Sequence, residues 1–392
     1  MVENFKNWLG PDVYGDFLQI KEYSPIMRGV YSKKKIDAGT KFIRIPKNKI
    51  IYTEQAKRSS EIIKENFIDK VNLFSSPDHV FITIYMIETW FGDLNSDFKS
   101  YYEILPPNLN NIPLFWTEEQ LKMLKGSPIV EDIKQKNNKI RSEYNTIVDN
   151  VPEFKILANF ERYKYVRCLV SSRNFSINVD GVSSQAMAPL ADMFNHKRPC
   201  KTKWGYEDNE FFVKSTEDID INEEIMDSYG LKSNNSYFIH YGFVVDDDSQ
   251  RTEDVLTIKL DDYNISLKLP FNNYTLQNEL LPMLRKTSNN PHGNFINKQK
   301  DLKILLELNK KLIKLLDEYP QSLKLDLVDK KIVQDKFSNE FSALVIVSTE
   351  KKILQYYIEC IFKILDYILN ETKLADIEEV YARTFINWID SL

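Results

Sequence analysis

The sequence predicts an α+β chain in which short strands flank a helical block and a mostly helical region follows. Three observations carry this. Strand-like runs occupy residues 23–52, helical spacing runs from Thr53 to about Arg167, and strand and turn signals return from Ser172 to Phe243.

Taken in order, residues 1–22 read as a helical lead-in, with Glu3, Lys6 and Asp12 interrupting the apolar positions. Gly29-Val30-Tyr31 leads to the turn signal Asp37-Ala38-Gly39, and Lys41 to Ile45 alternates polar with apolar before Pro46, so a β-hairpin is expected there. Val80, Ile84 and Ile87, then Ile140, Tyr144, Ile147 and Val148, recur at helical spacing. Asn178-Val179-Asp180-Gly181 reads as a tight turn and Phe211-Phe212-Val213 as a strand before the polar loop Asp218 to Glu224. The expected division is therefore a strand-rich domain over 23–244, with a helical insertion at about 53–167, and a helical domain over 254–392. Val245 to Glu253 is the expected linker, two strands follow it, and Leu302 to Leu316 and Thr349 to Leu369 are helical runs. The Asn-rich stretch Lys286 to Asn297 reads as a loop in which His292 is solvated.

Composition narrows the function classes. At 392 residues, and ~150 residues per domain, two or three folding units are expected, and 43% hydrophobic residues with 21 Tyr and 23 Phe mark a globular chain. With 52 basic against 57 acidic residues the net charge is −5, which provides no global attraction for nucleic acid. Lys33-Lys34-Lys35 is too short a basic run to change that. Cys168, Cys200 and Cys360 are too scattered for a disulfide framework or a zinc site and read as reduced thiols. No run reaches the ~18 apolar residues that cross a bilayer, so no membrane partner and a cytosolic or nuclear location are expected.

Three segments concentrate chemistry. Pro25 to Tyr31 holds Arg28-Gly29-Val30, where a glycine inside a strand permits close backbone approach. Ser172-Arg173-Asn174-Phe175 and then Asp192-Met193-Phe194-Asn195-His196 gather a guanidinium, an acid, an amide and an imidazole. A helical reading sets Asp192 and His196 on one face at i, i+4, but no third ligand stands at a metal-site spacing. Finally, Tyr229-Gly230 and Tyr241-Gly242 put two phenols beside permissive backbone.

In order and spacing, Arg28-Gly29-Val30, Ser172 to Phe175, Asp192 to His196, and Tyr229 to Asn234 with Tyr241-Gly242-Phe243 resemble the signature of SET-domain protein methyltransferases, most closely the Rubisco large-subunit methyltransferase-like class. The resemblance implies a SET β-fold with a helical insertion and an appended helical substrate-binding domain, to which Glu350 to Leu354 is similar. It implies S-adenosyl-L-methionine as cofactor. Ile26, Met27 and Arg28 would offer backbone contacts to its methionine end, Arg173 would face its carboxylate, and Asn195 and His196 would hold the adenosyl portion. Asp192 would organise the cofactor's amino end or the substrate channel, Tyr241 and Phe243 would line the pocket, and Tyr229 would be catalytic. On the substrate side stand Phe175, Asp192, Tyr229 and Tyr241. Two departures are visible: Ile26 replaces a frequent acidic residue and Met27 a frequent glycine.

Such chemistry needs alignment of an amine behind an activated methyl and exclusion of water, not a metal or a covalent intermediate. The histidine-directed branch of the class carries Asn where this chain has Phe175, which favours lysine in a monomeric enzyme acting on a non-histone protein. A histidine-directed enzyme and a catalytically silent adaptor are the alternatives.

Overall fold

The computed structural model describes residues 1–15, 17–24, 26–260, 265–271 and 298–370. Its chain divides into two compact units, residues 1–110 with 135–231 and residues 111–134 with 232–392.

In chain order the elements are α1 (Val2–Leu9), α2 (Pro11–Tyr14), β1 (Leu18–Ser24), β2 (Met27–Ser32), β3 (Lys41–Pro46) and β4 (Ile51–Tyr52). There follow α3 (Thr53–Ser59), α4 (Glu61–Asn66), α5 (Pro77–Phe91), α6 (Lys99–Ile104), α7 (Glu118–Lys122), α8 (Ile129–Asn150), α9 (Phe154–Leu157) and α10 (Phe160–Arg173). Strands return as β5 (Asn174–Val179), β6 (Val182–Met187), β7 (Asn195–His196), β8 (Thr202–Glu207), β9 (Glu210–Ser215) and β10 (Glu224–Asp227). The chain continues with α11 (Asn234–Tyr241), β11 (Val255–Leu260), β12 (Ile265–Pro270), α12 (Lys298–Asp317), α13 (Leu323–Ile332) and α14 (Asn339–Asn370). The α+β class, with helices between two groups of strands and a helical C-terminal region, matches the expectation.

The first unit holds three small sheets, ordered β1-β2-β10-β7, β3-β9-β8 and β4-β6-β5. The expected hairpin between β2 and β3 does not form: β2 pairs with β1 and β10, and β3 pairs with β9. Residues 33–40 instead cross between sheets, pinned by an Ile36–Ile219 bridge and by the Gly39 amide on the Ser215 carbonyl. Each strand thus takes a partner far away in sequence, which local turn signals do not reveal. The lead-in is helical only as far as Tyr14, because Leu18–Ser24 joins the sheet as β1. The Asp180-Gly181 turn between β5 and β6 has positive φ at both residues, as a tight hairpin with right-handed twist requires.

Helix α5 is the hub of the insertion; Val80 to Glu88 are all buried, so its apolar residues surround the axis and α3 and α10 pack on it. Ser60 and Asn159 cap α4 and α10 by accepting from the amides of Ile63 and Arg162. Helix α10 runs past the expected end to Arg173. The hydroxyls of Ser171 and Ser172 donate to the carbonyls of Arg167 and Leu169, so the serines are accommodated within the last turn. Arg173 therefore closes a helix and Phe175 stands on the strand that follows.

In the second unit α14 packs against α12 and α13, and Leu256, Ile258, Leu267 and Leu269 of the β11–β12 ribbon are buried. The expected linker is packed instead: Arg251 is 2% exposed, donates to the Val245 carbonyl and Thr349 Oγ1, and pairs with Asp246 and Asp248. The loop at 286–297 with His292 lies outside the described residues.

Candidate functional site

The sheet β1-β2-β10-β7 assembles the site. Antiparallel pairing sets Val30 opposite Ile225, and parallel pairing sets Asn195 and His196 opposite Met226 and Asp227. Segments some two hundred residues apart thereby become neighbours. Asn195 Nδ2 donates to the Arg28 carbonyl at 3.0 Å and to Glu224 Oε1 at 2.7 Å. Gly29 leaves room for this arrangement, since a Cβ there would stand 2.4 Å from Glu224 Oε1 and push that carboxylate aside. Glu224 Oε2 accepts in turn from the Tyr31 hydroxyl at 3.1 Å. Ile26 lies, half-buried, between β1 and β2, and Met27 opens β2.

A second cluster forms around Asp192, whose side chain is wholly buried. Arg173 donates to its carbonyl at 2.7 Å and pairs with Oδ2 at 3.5 Å, while the Tyr101 hydroxyl donates to Oδ2 at 2.8 Å. Burial pushes the Asp192 carboxyl up, and Arg173 and the Tyr101 hydroxyl pull it back. Arg28 pairs with Glu22 at 3.6 Å and donates to the Ile104 carbonyl; burial lowers its guanidinium from the usual range. Two charged atoms of this cluster, Asp192 Oδ1 and Arg28 Nε, are buried without any protein hydrogen-bond partner.

The helical reading of Asp192 and His196 is corrected by the structure. Leu190 holds φ at 79°, a costly value for a bulky residue, and sends the chain into a single 3₁₀ turn at Ala191–Met193 before Phe194 extends. Asp192 then turns to Arg173, and His196 turns to Tyr229. His196 Nδ1 accepts from the Tyr229 amide at 3.0 Å, so the neutral ring carries its proton on Nε2. The Tyr229 hydroxyl donates to the Phe194 carbonyl at 2.6 Å. Asp227, just before it, is pushed up to about 6 by burial, partly offset by the Ser228 amide.

The first unit therefore holds these residues in three hydrogen-bonded groups, Arg28 with Asn195, Arg173 with Asp192, and His196 with Tyr229. Phe175 joins an aromatic cluster, with ring centroids 5.1 Å from Trp204 and 4.9 Å from Phe211. Tyr241 and Phe243 belong to the second unit, where Phe243 stacks on Tyr237 at 5.1 Å. Between them Gly242 has φ 75°, and a Cβ there would come 2.5 Å from Asn111 Nδ2, which donates to the Tyr241 carbonyl. Sequence reading missed Tyr101, Glu224 and Trp204. Glu224 carried a faint signal, an acidic pair before the strand into Tyr229. Tyr101 carried none, because it stands 91 positions from Asp192 inside the insertion.

Comparison with known proteins agrees with this fold. The SET domain family model matches residues 27–230, more than half of the chain. Ribosomal lysine N-methyltransferase 4 of Saccharomyces cerevisiae is 23% identical over 57% of this chain and 50% of its own length. Actin-histidine N-methyltransferase of Rhinolophus ferrumequinum is 24% identical over 59% of this chain and 40% of its own. The matched region thus spans about half the length of these curated relatives or less. A crystal structure of the SET domain of LSMT bound to lysine and AdoHcy superposes with a TM-score of 0.78 at 17% identity, covering 100% of this chain and 98% of that one. The chain belongs to the SET-domain family.

Proposed function

We propose that this chain is an S-adenosylmethionine-dependent methyltransferase that modifies lysine side chains of a protein substrate. The observation that carries the reading is the pairing of Asp192 Oδ1 and Arg28 Nε as unsatisfied atoms of opposite charge in one buried cluster. A zwitterionic amino-acid moiety offers an ammonium to the first and a carboxylate to the second and to Arg173. Backbone at Ile26, Met27 and Arg28 and the Asn195–His196 segment are the remaining holding groups. When bound, the cofactor supplies a methyl already activated by a sulfonium.

The protein's own residues then have an alignment task. A lysine amine, with an ordinary pKa of ~10.4, must arrive neutral, which burial favours. The Tyr229 hydroxyl donates a hydrogen bond to the Phe194 carbonyl, and a hydroxyl oxygen can also accept one from an amine N–H. The target residue follows from position 175. Phe175, packed edge-on to Trp204 and Phe211, offers an apolar ring that suits an aliphatic stem, and gives an imidazole no hydrogen bond. Histidine is the second reading, favoured by the 24% identity to the actin-histidine enzyme.

The test is methyl transfer from labelled cofactor into a lysate, read by mass spectrometry of the modified residue. Methyl-lysine is expected; methyl-histidine transfers the assignment to the second reading, and cofactor binding without transfer favours an adaptor. For Tyr229→Phe, cofactor affinity should hold while turnover falls about 100-fold. Unchanged turnover removes Tyr229 from the chemistry. A soluble protein substrate in the cytoplasm or nucleus, met by a monomeric enzyme, belongs to the same proposal.

A further inference from the structure

We infer that Tyr101, contributed by the helical insertion, is a positioning residue of the cofactor site: its hydroxyl fixes one oxygen of Asp192 beside Arg173 and leaves the other for the cofactor's amino group. This rests on the cofactor reading above and adds a residue that lies outside every sequence motif.

Tyr101 sits on α6 with 0% exposure, and its hydroxyl donates to Asp192 Oδ2 at 2.8 Å. The ring is held from the N-terminal helix: Phe5 and Trp8 of α1 stand with centroids 6.4 Å away, the indole stacked at an interplanar angle of 13°. Packing of this kind asks only for an aromatic ring, and phenylalanine supplies it without a polar atom to satisfy. The hydroxyl therefore serves Asp192. The same helix also ends on Arg28, whose guanidinium donates to the Ile104 carbonyl. One short element thus touches the strand motif through Arg28, the loop motif through Asp192 and, through Asp192, the Arg173 motif.

The groups facing Asp192 are Tyr101 from α6, Arg173 from α10 and Arg28 from β2, the last paired with Glu22 of β1. With the hydroxyl gone, the 3.5 Å contact to Arg173 is the closest charged partner left to the carboxylate. Asp192 then takes up a proton at higher pH, and a protonated Asp192 no longer attracts an ammonium.

The experiment is calorimetric titration of the full chain with S-adenosylmethionine over the acid-to-neutral range, for wild type, Tyr101→Phe and Tyr102→Phe. Tyr102 is the control, a neighbouring buried tyrosine whose hydroxyl bonds Thr89 at 2.6 Å. Tyr101→Phe is expected to bind about 10-fold more weakly at neutral pH, with the deficit widening as pH falls, while Tyr102→Phe follows the wild-type pH profile. In an Asp192→Asn background Tyr101→Phe should add nothing further. Unchanged affinity, a deficit equal at all pH values, or additive losses in the double variant overturn the inference. Wild-type chain that binds no S-adenosylmethionine overturns the functional reading and this inference with it.

Discussion

Each unit buries a cluster of charge, and the two clusters are finished differently. On α14, Glu350 and Lys351 are 3% and 1% exposed, and their network is closed. Glu350 accepts from Ser127 Oγ and the Tyr319 hydroxyl, both at 2.9 Å, while Lys351 pairs with Asp326 and donates to the Gln321 carbonyl at 2.8 Å. Gln321 Nε2 then fills Asp326 Oδ1 at 2.6 Å. Around Asp192 the network is open, with one carboxylate oxygen and one guanidinium nitrogen left over. A closed network fixes the arrangement of helices; an open one leaves buried charge without an internal partner, which is what the proposed cofactor site needs.

The comparison breaks first at Lys351. Lys351→Met leaves Asp326, 1% exposed, charged and without a counter-charge, so a loss of about 3–5 kcal/mol in stability is expected. Denaturant unfolding measures it, and adding Asp326→Leu should restore most of the loss. A small loss from the single variant, or no recovery in the double, removes the structural reading of the closed network.

Asp192→Asn sharpens the same contrast from the other side. It removes a charge that burial already disfavours and keeps an acceptor for Arg173 and Tyr101, so stability should change by less than about 1 kcal/mol. Cofactor affinity should nevertheless fall about 100-fold, or ~2.7 kcal/mol. Thermal unfolding and calorimetry on one sample check both. A large stability loss with intact affinity shows that the cluster is scaffold.

This contrast also explains what the sequence made legible. Arg28, Arg173, Asp192, Asn195, His196 and Tyr229 stood in short, ordered motifs, because each is fixed by local backbone such as the Gly29 strand or the turn at Leu190. Tyr101 and the β2–β10 pairing were not legible. They depend on contacts between segments whose sequence separation no local periodicity records. The same limit misread the β2–β3 connection as a hairpin: turn residues at 37–39 announce a change of direction but not the partner strand. The stretch Val245 to Glu253 reads as a linker for a related reason, since a polar run looks like one until its buried Arg251 is seen to close it.

An effect that depends on pH is expected beside the open cluster, at Asp227, which is 7% exposed and whose carboxyl is pushed from 3.8 up to about 6 by burial. Between those two values the folded chain keeps a proton that the unfolded chain has released. Stability contributed by Asp227 is therefore complete below about pH 4, declines as pH rises and levels off above about pH 6. Carboxylates held low, such as Asp246 beside Lys330, have the opposite slope, so the wild-type curve alone is ambiguous. The difference between wild type and Asp227→Asn isolates the term, because asparagine keeps the acceptor for the Ser228 amide and cannot ionise. Above about pH 6 the variant should be more stable by up to ~3 kcal/mol, and the two melting curves should converge toward pH 4. A difference that does not vary with pH means that Asp227 is not a buried, ionising carboxyl, and that the open, under-neutralised region ends at Asp192.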